Sequence, residues 1–392
     1  MKPSEMEDWY RYCHYAFGLD QDFEDWDKNR RRRNLNPDTM VPYGYFVDDV
    51  LVSTCGYIPF RVRLRGQIVN MGGISFVTTP PEYRRRGYVA DMLKRLVAEL
   101  NALDMPVSGL WPFSRAFYRR YGWATCVDSS EIELETEQLR SLVRGFRSTA
   151  SFARATLDDA PRMDEVHRRW SVPYDLCVIR DREGWRTQTF SGWKKDPHVY
   201  VAKGSDDEVI AYLAYTVDER EDWDRDLRVT DLAFRDADAY REILYFLANH
   251  DSQVNRFHLS TPNSDPLFDW MVGGKVARAC GIMVRISDPG LVLEGISIPE
   301  GAEGSVVLGI EDDFLPGNSG DYRIDFSAGQ VEVRVVDEPV DVQLDVAALS
   351  QLVSGYRSLE ELQRFGRAQV FSRGAVLDSL LPRSHTFMRE HF

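Results

Sequence analysis

The spacing of hydrophobic and polar positions in the first third of the chain predicts a β-meander followed by a helix. Between residues 43 and 79, apolar and polar positions alternate as in strands, with turn signals at 48–49, 65–66 and 72–73 (Asp-Asp, Arg-Gly and Gly-Gly). Residues 86–103 instead repeat apolar side chains at the three-to-four spacing of an amphipathic helix. The apolar positions of this helix are Val89, Met92, Leu93, Leu96, Val97 and Leu100.

Three short elements are expected after this helix. Residues 106–113 read as a strand, residues 114–122 as a short helix, and residues 123–135 as one further strand. From about residue 130 the chain leaves this unit, so we predict a first domain over residues 1–129.

The middle of the chain repeats the order of the first region. A helix is predicted over residues 156–170, a hairpin over 198–219, and a strand–loop–helix unit over 227–250. The loop of that unit, residues 233–242, has no glycine and carries acidic residues where the first loop carries arginines. A duplicated fold accounts for this order, and chance agreement between two ordinary α/β patterns is the alternative. We predict a second domain over residues 130–281.

The last region is predicted to be a separate α+β domain over residues 300–392. Residues 301–336 give short strands broken by glycine turns, and residues 344–366 give two helices separated by Gly355. No low-complexity linker separates the three regions, so we expect them to pack together.

Composition narrows the class of protein. The 392 residues are 43% hydrophobic and carry a net charge of −14, which fits a globular protein and disfavours a nucleic-acid partner. The arginine run at residues 30–33 is therefore interpreted as a solvated helix end. The five cysteines form no CxxC pair, and there is no signal segment or long apolar run. We predict a cytoplasmic protein with no membrane span.

A basic loop at residues 84–87, three arginines and a glycine, precedes the amphipathic helix. Exposed N–H groups at a helix start bind phosphate, and glycine lets the backbone approach closely. Considered alone, the loop is more often an ordinary solvated turn. However, Pro80 and Pro81 cannot donate ladder hydrogen bonds. A strand that stops pairing there can separate from its neighbour and leave backbone groups free for an extended ligand.

Several segments resemble the GCN5-related N-acetyltransferases (GNAT). The segments "FVTTPPEYRRRG" and "AFYRRYGW", on either side of the helix, carry this resemblance. Together with "GIMVRISDP" and the C-terminal helices, they resemble the enhanced intracellular survival (Eis) family over the whole chain. The resemblance implies an α+β fold with two fused GNAT-like domains and a C-terminal sterol-carrier-like domain. It also implies a degenerate second domain without the pyrophosphate loop, a crossing segment over residues 282–299, and a homohexamer.

The resemblance implies acetyl-CoA as co-substrate, and no metal is expected. Carried over by position, Val77, Thr78 and Thr79 hold the pantetheine through their backbone. The family has Gly or Ala at the place of Val89 and usually a small polar residue at the place of Phe113. The residues that match the pyrophosphate loop and a second cofactor contact are Arg85, Arg86, Gly87, Tyr88, Val89, Ala90, Phe113 and Ser114.

The reaction requires an acid and a base. An amine attacks the thioester, a backbone N–H on the separated strand stabilises the oxyanion, and the leaving thiolate needs a proton. Tyr118 matches the general acid of the family, although a core aromatic is the common role of such a tyrosine and Tyr121 is the alternative donor. None of the seven histidines has a recognisable spacing with the loop. In the family the terminal carboxylate, here that of Phe392, serves as base; a frayed terminus is the alternative.

Residues 17–27 interleave carboxylates with aromatic rings, which suits a cationic amine such as an aminoglycoside or polyamine. A solvated amphipathic helix explains the same residues. The family also acetylates lysine side chains, so the resemblance does not choose between them. His391, beside the terminus, is a candidate pocket residue. The alternative function is a non-catalytic coenzyme A or lipid-binding protein that uses the sterol-carrier-like domain. The carboxylates are Asp20, Asp22, Glu24, Asp25 and Asp27, and the rings are Phe17, Phe23 and Trp26.

Overall fold

The first part of the chain folds into a twisted sheet covered by helices. The structure is a computed structural model that describes residues 3–18, 20–32, 39–192, 195–220 and 224–392. Strands β1 to β3 form the predicted antiparallel meander, and β4 lies parallel to β3. The elements are α1 (Pro3–Phe17), α2 (Phe23–Arg32), β1 (Val41–Val47), β2 (Val50–Leu64), β3 (Gln67–Thr78), α3 (Tyr88–Ala102), β4 (Val107–Leu110), α4 (Arg115–Arg119) and β5 (Ala124–Thr125).

The predicted turn at Gly72-Gly73 is wrong, because both glycines lie inside β3. A Cβ at position 72 would stand 2.6 Å from the Leu100 side chain of α3, which packs on the sheet. A Cβ at position 73 would stand 2.5 Å from the Phe60 ring and 3.0 Å from the Phe392 ring. The pair therefore permits close packing on two faces of the strand rather than reversing the chain.

The middle of the chain builds a seven-stranded sheet in the order β13-β6-β12-β11-β10-β9-β7. The predicted helix and hairpin are confirmed as α6 and as the antiparallel pair β9–β10. The elements are β6 (Asp128–Glu135), α5 (Thr136–Leu142), β7 (Ser151–Arg154), α6 (Ala160–Trp170), β8 (Tyr174–Asp175), α7 (Arg182–Trp185), β9 (His198–Lys203), β10 (Val209–Glu219), β11 (Arg225–Phe234), α8 (Ala237–Ala248), β12 (Arg256–Thr261), α9 (Leu267–Trp270) and β13 (Lys275–Cys280).

The single strand predicted over residues 123–135 is two strands in different sheets. Strand β5 belongs to the first sheet and β6 to the middle sheet. Cys126 and Val127, which connect them, are fully buried, so the connection reads as apolar strand in the sequence. Continuous burial hides the point where the chain crosses from one sheet to the next.

The last part of the chain completes the first sheet before it forms a third one. Strand β14 pairs antiparallel with both β4 and β5. The third sheet has the order β17-β16-β15-β18-β19, and β20 pairs with β8 of the middle region. The elements are β14 (Met283–Ile286), α10 (Pro289–Glu294), β15 (Gly304–Glu311), β16 (Gly320–Ser327), β17 (Gln330–Val336), β18 (Val342–Asp345), α11 (Val346–Val353), α12 (Leu359–Arg364), β19 (Ala368–Val370), α13 (Gly374–Leu380) and β20 (His385–Thr386). The predicted α+β class is confirmed.

Buried side chains join the first sheet to the last region. One hydrophobic cluster contains residues of the first sheet, such as Met71 and Val284, together with Leu308 and Leu352 of the last region. The Arg65 guanidinium, from the turn between β2 and β3, donates to the carbonyls of Leu352 and Val353, each at 2.7 Å. Such contacts tie the last region to the first.

The arginine run differs from the solvated helix end predicted for it. The side chain of Arg30 is buried, pairs with Asp27, and lies 3.7 Å above the Tyr10 ring. Arg31 is exposed and pairs with the same carboxylate at 2.6 Å, while Arg33 lies outside the described residues. Within the described ranges, no helix is long and apolar enough to cross a membrane.

Candidate active site

Two neighbouring strands of the first sheet separate at their ends. Parallel pairing between β3 and β4 ends at Ile74 and Leu110, while β3 continues for four more residues to Thr78. The separation therefore begins before Pro80 and Pro81, to which the sequence assigned it. On the other side β4 runs into Pro112, which has no N–H to donate. The result is an open gap between the strands.

A β-bulge shapes the free part of β3. The register between β2 and β3 shifts between Thr54 and Gly56, and Phe76 takes a left-handed conformation with φ of 53°. The Thr54 hydroxyl donates to the Phe76 carbonyl at 3.1 Å, and the Ser53 hydroxyl donates to the Thr78 carbonyl at 2.9 Å. Because carbonyls alternate sides along a strand, we infer that the Val77 backbone faces the gap.

The basic loop ends in an uncapped helix start. Gly87 is the N-cap of α3 with φ of 85°, and no side chain caps the helix. Arg85 also has a positive φ, 61°, so the loop turns through two left-handed residues before the helix. The first N–H groups of a helix have no intrahelical acceptor, and they carry the positive end of its dipole. The geometry suits an anion such as a pyrophosphate.

The arginines of the loop are exposed, and two of them brace it. Arg84 donates to the Thr79 carbonyl at 2.9 Å, and Arg86 donates to the Glu82 carbonyl at 3.1 Å. The Tyr88 ring stacks on Tyr45 of β1 with centroids 5.1 Å apart. These contacts hold the loop against the end of the sheet.

The corresponding helix start in the middle region is closed to anions. Asp236 is the N-cap of α8, and its carboxylate accepts from the Ala239 N–H at 2.9 Å. A negative side chain therefore occupies the place where a phosphate would bind. This contrast agrees with a second loop that has lost its ligand.

A cavity of about 430 Å³ opens beside the separated strands. Four of the residues predicted for the site line it: Val77, Phe113, Tyr118 and Phe392. The other predicted cofactor-binding residues lie outside this cavity. Thr78 and Thr79 continue β3, the residues from Arg85 to Ala90 form the helix start, and Ser114 caps α4 by accepting from the Phe117 N–H at 3.3 Å.

Tyr118 is held at the cavity wall by aromatic packing. It lies in α4, its side chain is 2% exposed, and its ring contacts those of Phe113 and Phe117. Burial raises the pKa of the Tyr118 phenol above its usual value of 10. The hydroxyl therefore stays protonated at neutral pH, the state that a general acid needs. Tyr121, the alternative donor, does not line the cavity.

The last residues of the chain are threaded between the first and middle regions. Strand β20 pairs with β8, and the Phe387 N–H donates to the Asp175 carbonyl at 3.0 Å. The indole N–H of Trp111 donates to the Glu390 carbonyl at 3.1 Å, and the Trp111 ring stacks on His391. The Phe392 ring then packs against Phe60 with centroids 5.0 Å apart. The tail is anchored as far as the cavity.

A buried ionic cluster fixes the tail one step before the cavity. Arg180 pairs with Asp231 at 2.5 Å and with Glu390 at 2.7 Å, and all three side chains are at most 2% exposed. Arg389 pairs with the same Asp231 at 2.8 Å. Burial opposes ionisation of Asp231, but the Arg180 and Arg389 charges outweigh it and lower the pKa of the carboxyl. The two positive charges of this cluster therefore balance its two negative charges.

Family models match most of the chain. Residues 1–126 and residues 176–286 each match an acetyltransferase (GNAT) domain, and residues 290–389 match a sterol carrier protein domain. The chain belongs to the GCN5-related N-acetyltransferases. Both GNAT domains and the sterol-carrier-like domain predicted by resemblance are confirmed, and the fold implies use of acetyl-CoA.

Relatives and solved structures agree with this GNAT assignment. An uncharacterized N-acetyltransferase of Streptomyces avermitilis is 25% identical over 86% of this chain and 85% of its own length. The N-acetyltransferase Eis of Mycobacterium tuberculosis is 24% identical over 76% and 74%. A probable N-acyltransferase of Enterococcus faecalis shares the fold with a TM-score of 0.89, at 24% identity and 100% and 98% coverage. The Eis-type arrangement is confirmed.

The acidic residues that suggested a cationic substrate do not line the cavity. Phe17 and Trp26 do line it, but Asp20, Asp22, Glu24 and Asp25 are exposed and Asp27 pairs with arginines. Residues 17–27 bury the Trp26 ring and expose most of their carboxylates, which fits the solvated amphipathic alternative. His391 lines the cavity.

Five residues that line the cavity were not predicted from the sequence. Ile58, Ile74, Ser75, Phe76 and Trp111 line it, and none of them was a candidate. Ile74, Ser75 and Phe76 come just before the strand end, and Trp111 comes directly after β4. A search for the residues where two parallel strands separate would have found these four, whereas Ile58, in the middle of β2, has no such signal.

Among the described residues, no cluster of three His, Cys, Asp or Glu side chains could hold a metal ion.

Proposed function

We propose that the protein moves the acetyl group of acetyl-CoA to a primary amine by direct attack. Tyr118 acts as general acid and the Phe392 carboxylate as general base. The observation that carries this proposal is the single cavity that Val77, Tyr118 and Phe392 line together. In this proposal a nucleophile, a thioester and both proton-transfer groups would meet in that cavity.

The cofactor is proposed to lie along the open gap. The backbone of Val77, Thr78 and Thr79 would bind the pantetheine by adding hydrogen bonds to the free strand. Phe113 and Ser114 would contact it from the β4 side. The uncapped start of α3 would bind the pyrophosphate through the N–H groups of Arg85, Arg86, Gly87, Tyr88, Val89 and Ala90.

The proton balance of the reaction follows from these positions. The amine nitrogen forms a bond to the carbonyl carbon while the carbon–sulfur bond breaks. The Phe392 carboxylate takes the proton from the amine, and the Tyr118 hydroxyl gives its proton to the thiolate. A backbone N–H of the separated strand stabilises the oxyanion. The carboxyl proton of Phe392 then passes through solvent to the Tyr118 phenolate, which restores both groups as the product amide and coenzyme A leave.

Several narrower predictions accompany this proposal. By resemblance we expect a homohexamer and a cationic acceptor such as an aminoglycoside, a polyamine or a lysine side chain. We also propose the domain bounds 1–129, 130–281 and 300–392, with residues 282–299 returning to the first domain. Insertion of β14 between β4 and β5 supports that return.

The alternative is a non-catalytic protein that binds lipid in its last domain. One observation opposes it. A cavity of about 1230 Å³ beside the third sheet has four acidic residues in its wall, Glu294, Glu303, Asp325 and Glu332. An acidic wall does not suit an acyl chain. Thermal stabilisation by a fatty acid and not by coenzyme A would favour this alternative.

The test of the proposal changes the position of the terminal carboxylate. Extension of the chain beyond Phe392 by Gly-Ser should abolish thiol release, because the carboxylate leaves the cavity. The matched control is Phe392→Ala, which keeps a carboxylate at position 392 and should retain measurable turnover. Binding of acetyl-CoA, followed by calorimetry, should survive both changes. Full activity of the extended chain would overturn the role of the carboxylate.

A further inference from the structure

We propose that the acceptor is an apolar or aromatic monoamine rather than a polycation. This inference rests on the proposed acetyl transfer to a primary amine, and for the same cavity it replaces the polycationic acceptors expected by resemblance. A phenylalkyl or alkyl primary amine represents the class. Its body would contact the rings of the cavity wall, and its single nitrogen would face the Phe392 carboxylate.

The described wall of the cavity holds no Asp, Glu, Lys or Arg side chain. Rings make up most of the acceptor side, namely Phe17, Trp26, Phe76, Trp111, His391 and Phe392. The only anionic group proposed at this wall is the terminal carboxylate. One ammonium or amine group therefore finds one charged partner.

Carboxylates near the cavity already have partners or point to solvent. Asp27, on α2, pairs with Arg30 and Arg31. An adjacent cavity that shares His391 includes Asp218 and Glu390. Asp218 pairs with Lys195 at 2.7 Å, and Glu390 pairs with Arg180 at 2.7 Å. Among the described residues that line these two cavities, a second ammonium group of a polycation would find no carboxylate without a basic partner.

Two exposed rings stand at the mouth of the cavity. Phe17 is 54% exposed and Phe113 is 69% exposed, although large apolar side chains are usually covered. The Phe17 ring contacts the Phe76 ring edge-on, with the ring centroids 5.7 Å apart. Phe113 is on the side proposed for the cofactor, so an acceptor with an apolar body would cover the Phe17 ring as it enters, whereas a polyhydroxylated or polycationic acceptor would leave that ring exposed to water.

The apolar wall also favours the reactive form of a monoamine. Removal from water disfavours the charged ammonium and lowers the pKa of the amine. For a monoamine, this lower pKa produces the neutral amine, which is the nucleophile that attacks the thioester. For a polyamine the same wall would strip water from further charges that the reaction does not neutralise, which weakens binding.

The test compares amines on the full-length protein with acetyl-CoA and thiol-release detection. We expect kcat/KM for phenethylamine and n-hexylamine to exceed that for spermidine and kanamycin by about tenfold or more. Equal or better turnover of the polycations would overturn the inference while leaving the proposed acetyltransferase activity intact. No amine-dependent thiol release with any substrate would instead contradict the proposed function itself.

Variants at the mouth separate this inference from an effect on folding. Phe17→Ala should raise KM for phenethylamine with little change in kcat, and Phe17→Asp should shift preference toward spermidine. Phe371→Ala, at a 65% exposed ring of the last domain, is the control and should change neither value. Unchanged preference in Phe17→Asp would contradict the assignment of the acceptor to this mouth. Faster turnover with hexanoyl-CoA and no preference among amines would assign the apolar wall to an acyl chain and overturn the inference.

Discussion

Burial gives Tyr118 its chemical state as well as its position. The side chain is packed among rings, so its phenol loses contact with water and the pKa rises. A higher pKa keeps the proton on the oxygen at neutral pH, so the hydroxyl is available to the thiolate that develops as coenzyme A leaves. Under the proposed mechanism the residue is a proton donor and not a nucleophile.

The first prediction concerns this hydroxyl. Tyr118→Phe should lower kcat by about 100-fold or more, because only the proton donor is removed. The KM for acetyl-CoA should change little. Since the pKa is raised, the wild-type rate should show no loss from ionisation of this phenol up to about pH 10. Steady-state kinetics across pH measures both.

Tyr121→Phe is the matched control for that change. Tyr121 lies one helical turn further and outside the cavity wall, so its variant should keep the wild-type rate. A large loss in Tyr121→Phe together with an active Tyr118→Phe would reverse the assignment.

At the scale of elements, one glycine decides the path of the basic loop. Gly87 has φ of 85°, and a Cβ there would meet no atom within 4 Å. The requirement for glycine is therefore conformational, not steric. Gly87→Ala should destabilise the loop by about 1 kcal/mol and weaken acetyl-CoA binding, because the N–H groups of the helix start move.

The control for Gly87→Ala is Gly329→Ala, in the turn between β16 and β17. Gly329 has φ of 82° and equally open surroundings, so it carries the same backbone penalty far from the cofactor gap. The two variants should lose similar stability in urea, and only Gly87→Ala should lose affinity by calorimetry. Equal acetyl-CoA affinity in both would remove the loop from the binding site.

The C-terminal segment is the second element on which the site depends. Its position is set by the pairing of Arg180 with Glu390, so Glu390 acts as a positioning residue for Phe392. Glu390→Gln should lower kcat and leave the KM for acetyl-CoA unchanged, because the cofactor gap lies on the other wall. It should also reduce stability by about 3 kcal/mol, since a buried pair loses one charge.

Glu165→Gln provides the matched control for Glu390→Gln. Glu165 pairs with Arg169 at 2.7 Å, but both side chains are more than 60% exposed. Surface pairs contribute little, about 0–1 kcal/mol, so stability and kcat should stay close to wild type. An unchanged kcat in a folded Glu390→Gln protein would show that the buried pair does not position the terminus.

At the scale of the whole molecule, shared burial makes the three regions interdependent. One hydrophobic cluster contains side chains of both the first sheet and the last region, so each of them covers apolar surface of the other. Arg285 of β14 and Asp312 pair at 2.5 Å across the same junction, with both side chains at most 1% exposed. The catalytic proposal needs this, because the tail of the last region reaches the first.

The last prediction follows from this interdependence. Scanning calorimetry should show one unfolding transition, and Arg65→Ala should lower stability by on the order of 3 kcal/mol through loss of its buried hydrogen bonds to the last region. Arg334→Ala, at an exposed pair with Asp325, should have little effect. Two resolved transitions in the wild-type protein would show instead that the regions fold separately.

Local patterns in the sequence were sufficient for the α+β class, the meander, the amphipathic helix and the basic loop before it. Periodicity and turn residues are local signals that extend over a few positions, so these elements can be predicted from the sequence alone. The roles of Tyr118 and Phe392, the crossing segment 282–299 and the hexamer came from resemblance, the domain bounds came from the pattern along the chain, and all of them stay predictions. Where burial is continuous, as at Cys126 and Val127, local pattern misplaced the boundary between two strands.

The tertiary structure alone decided which residues meet. Phe392 lies more than 270 positions from Tyr118, and only the pairing of β20 with β8 and the buried ionic cluster bring them to one cavity. The structure also places the carboxylates of residues 20–27 outside the lining of that cavity, so they do not support the cationic substrate that their composition suggests. Composition does not show where a side chain points, whereas packing in the folded chain determines which surface each side chain faces. The chain therefore encodes its elements locally and its site through contacts between distant residues.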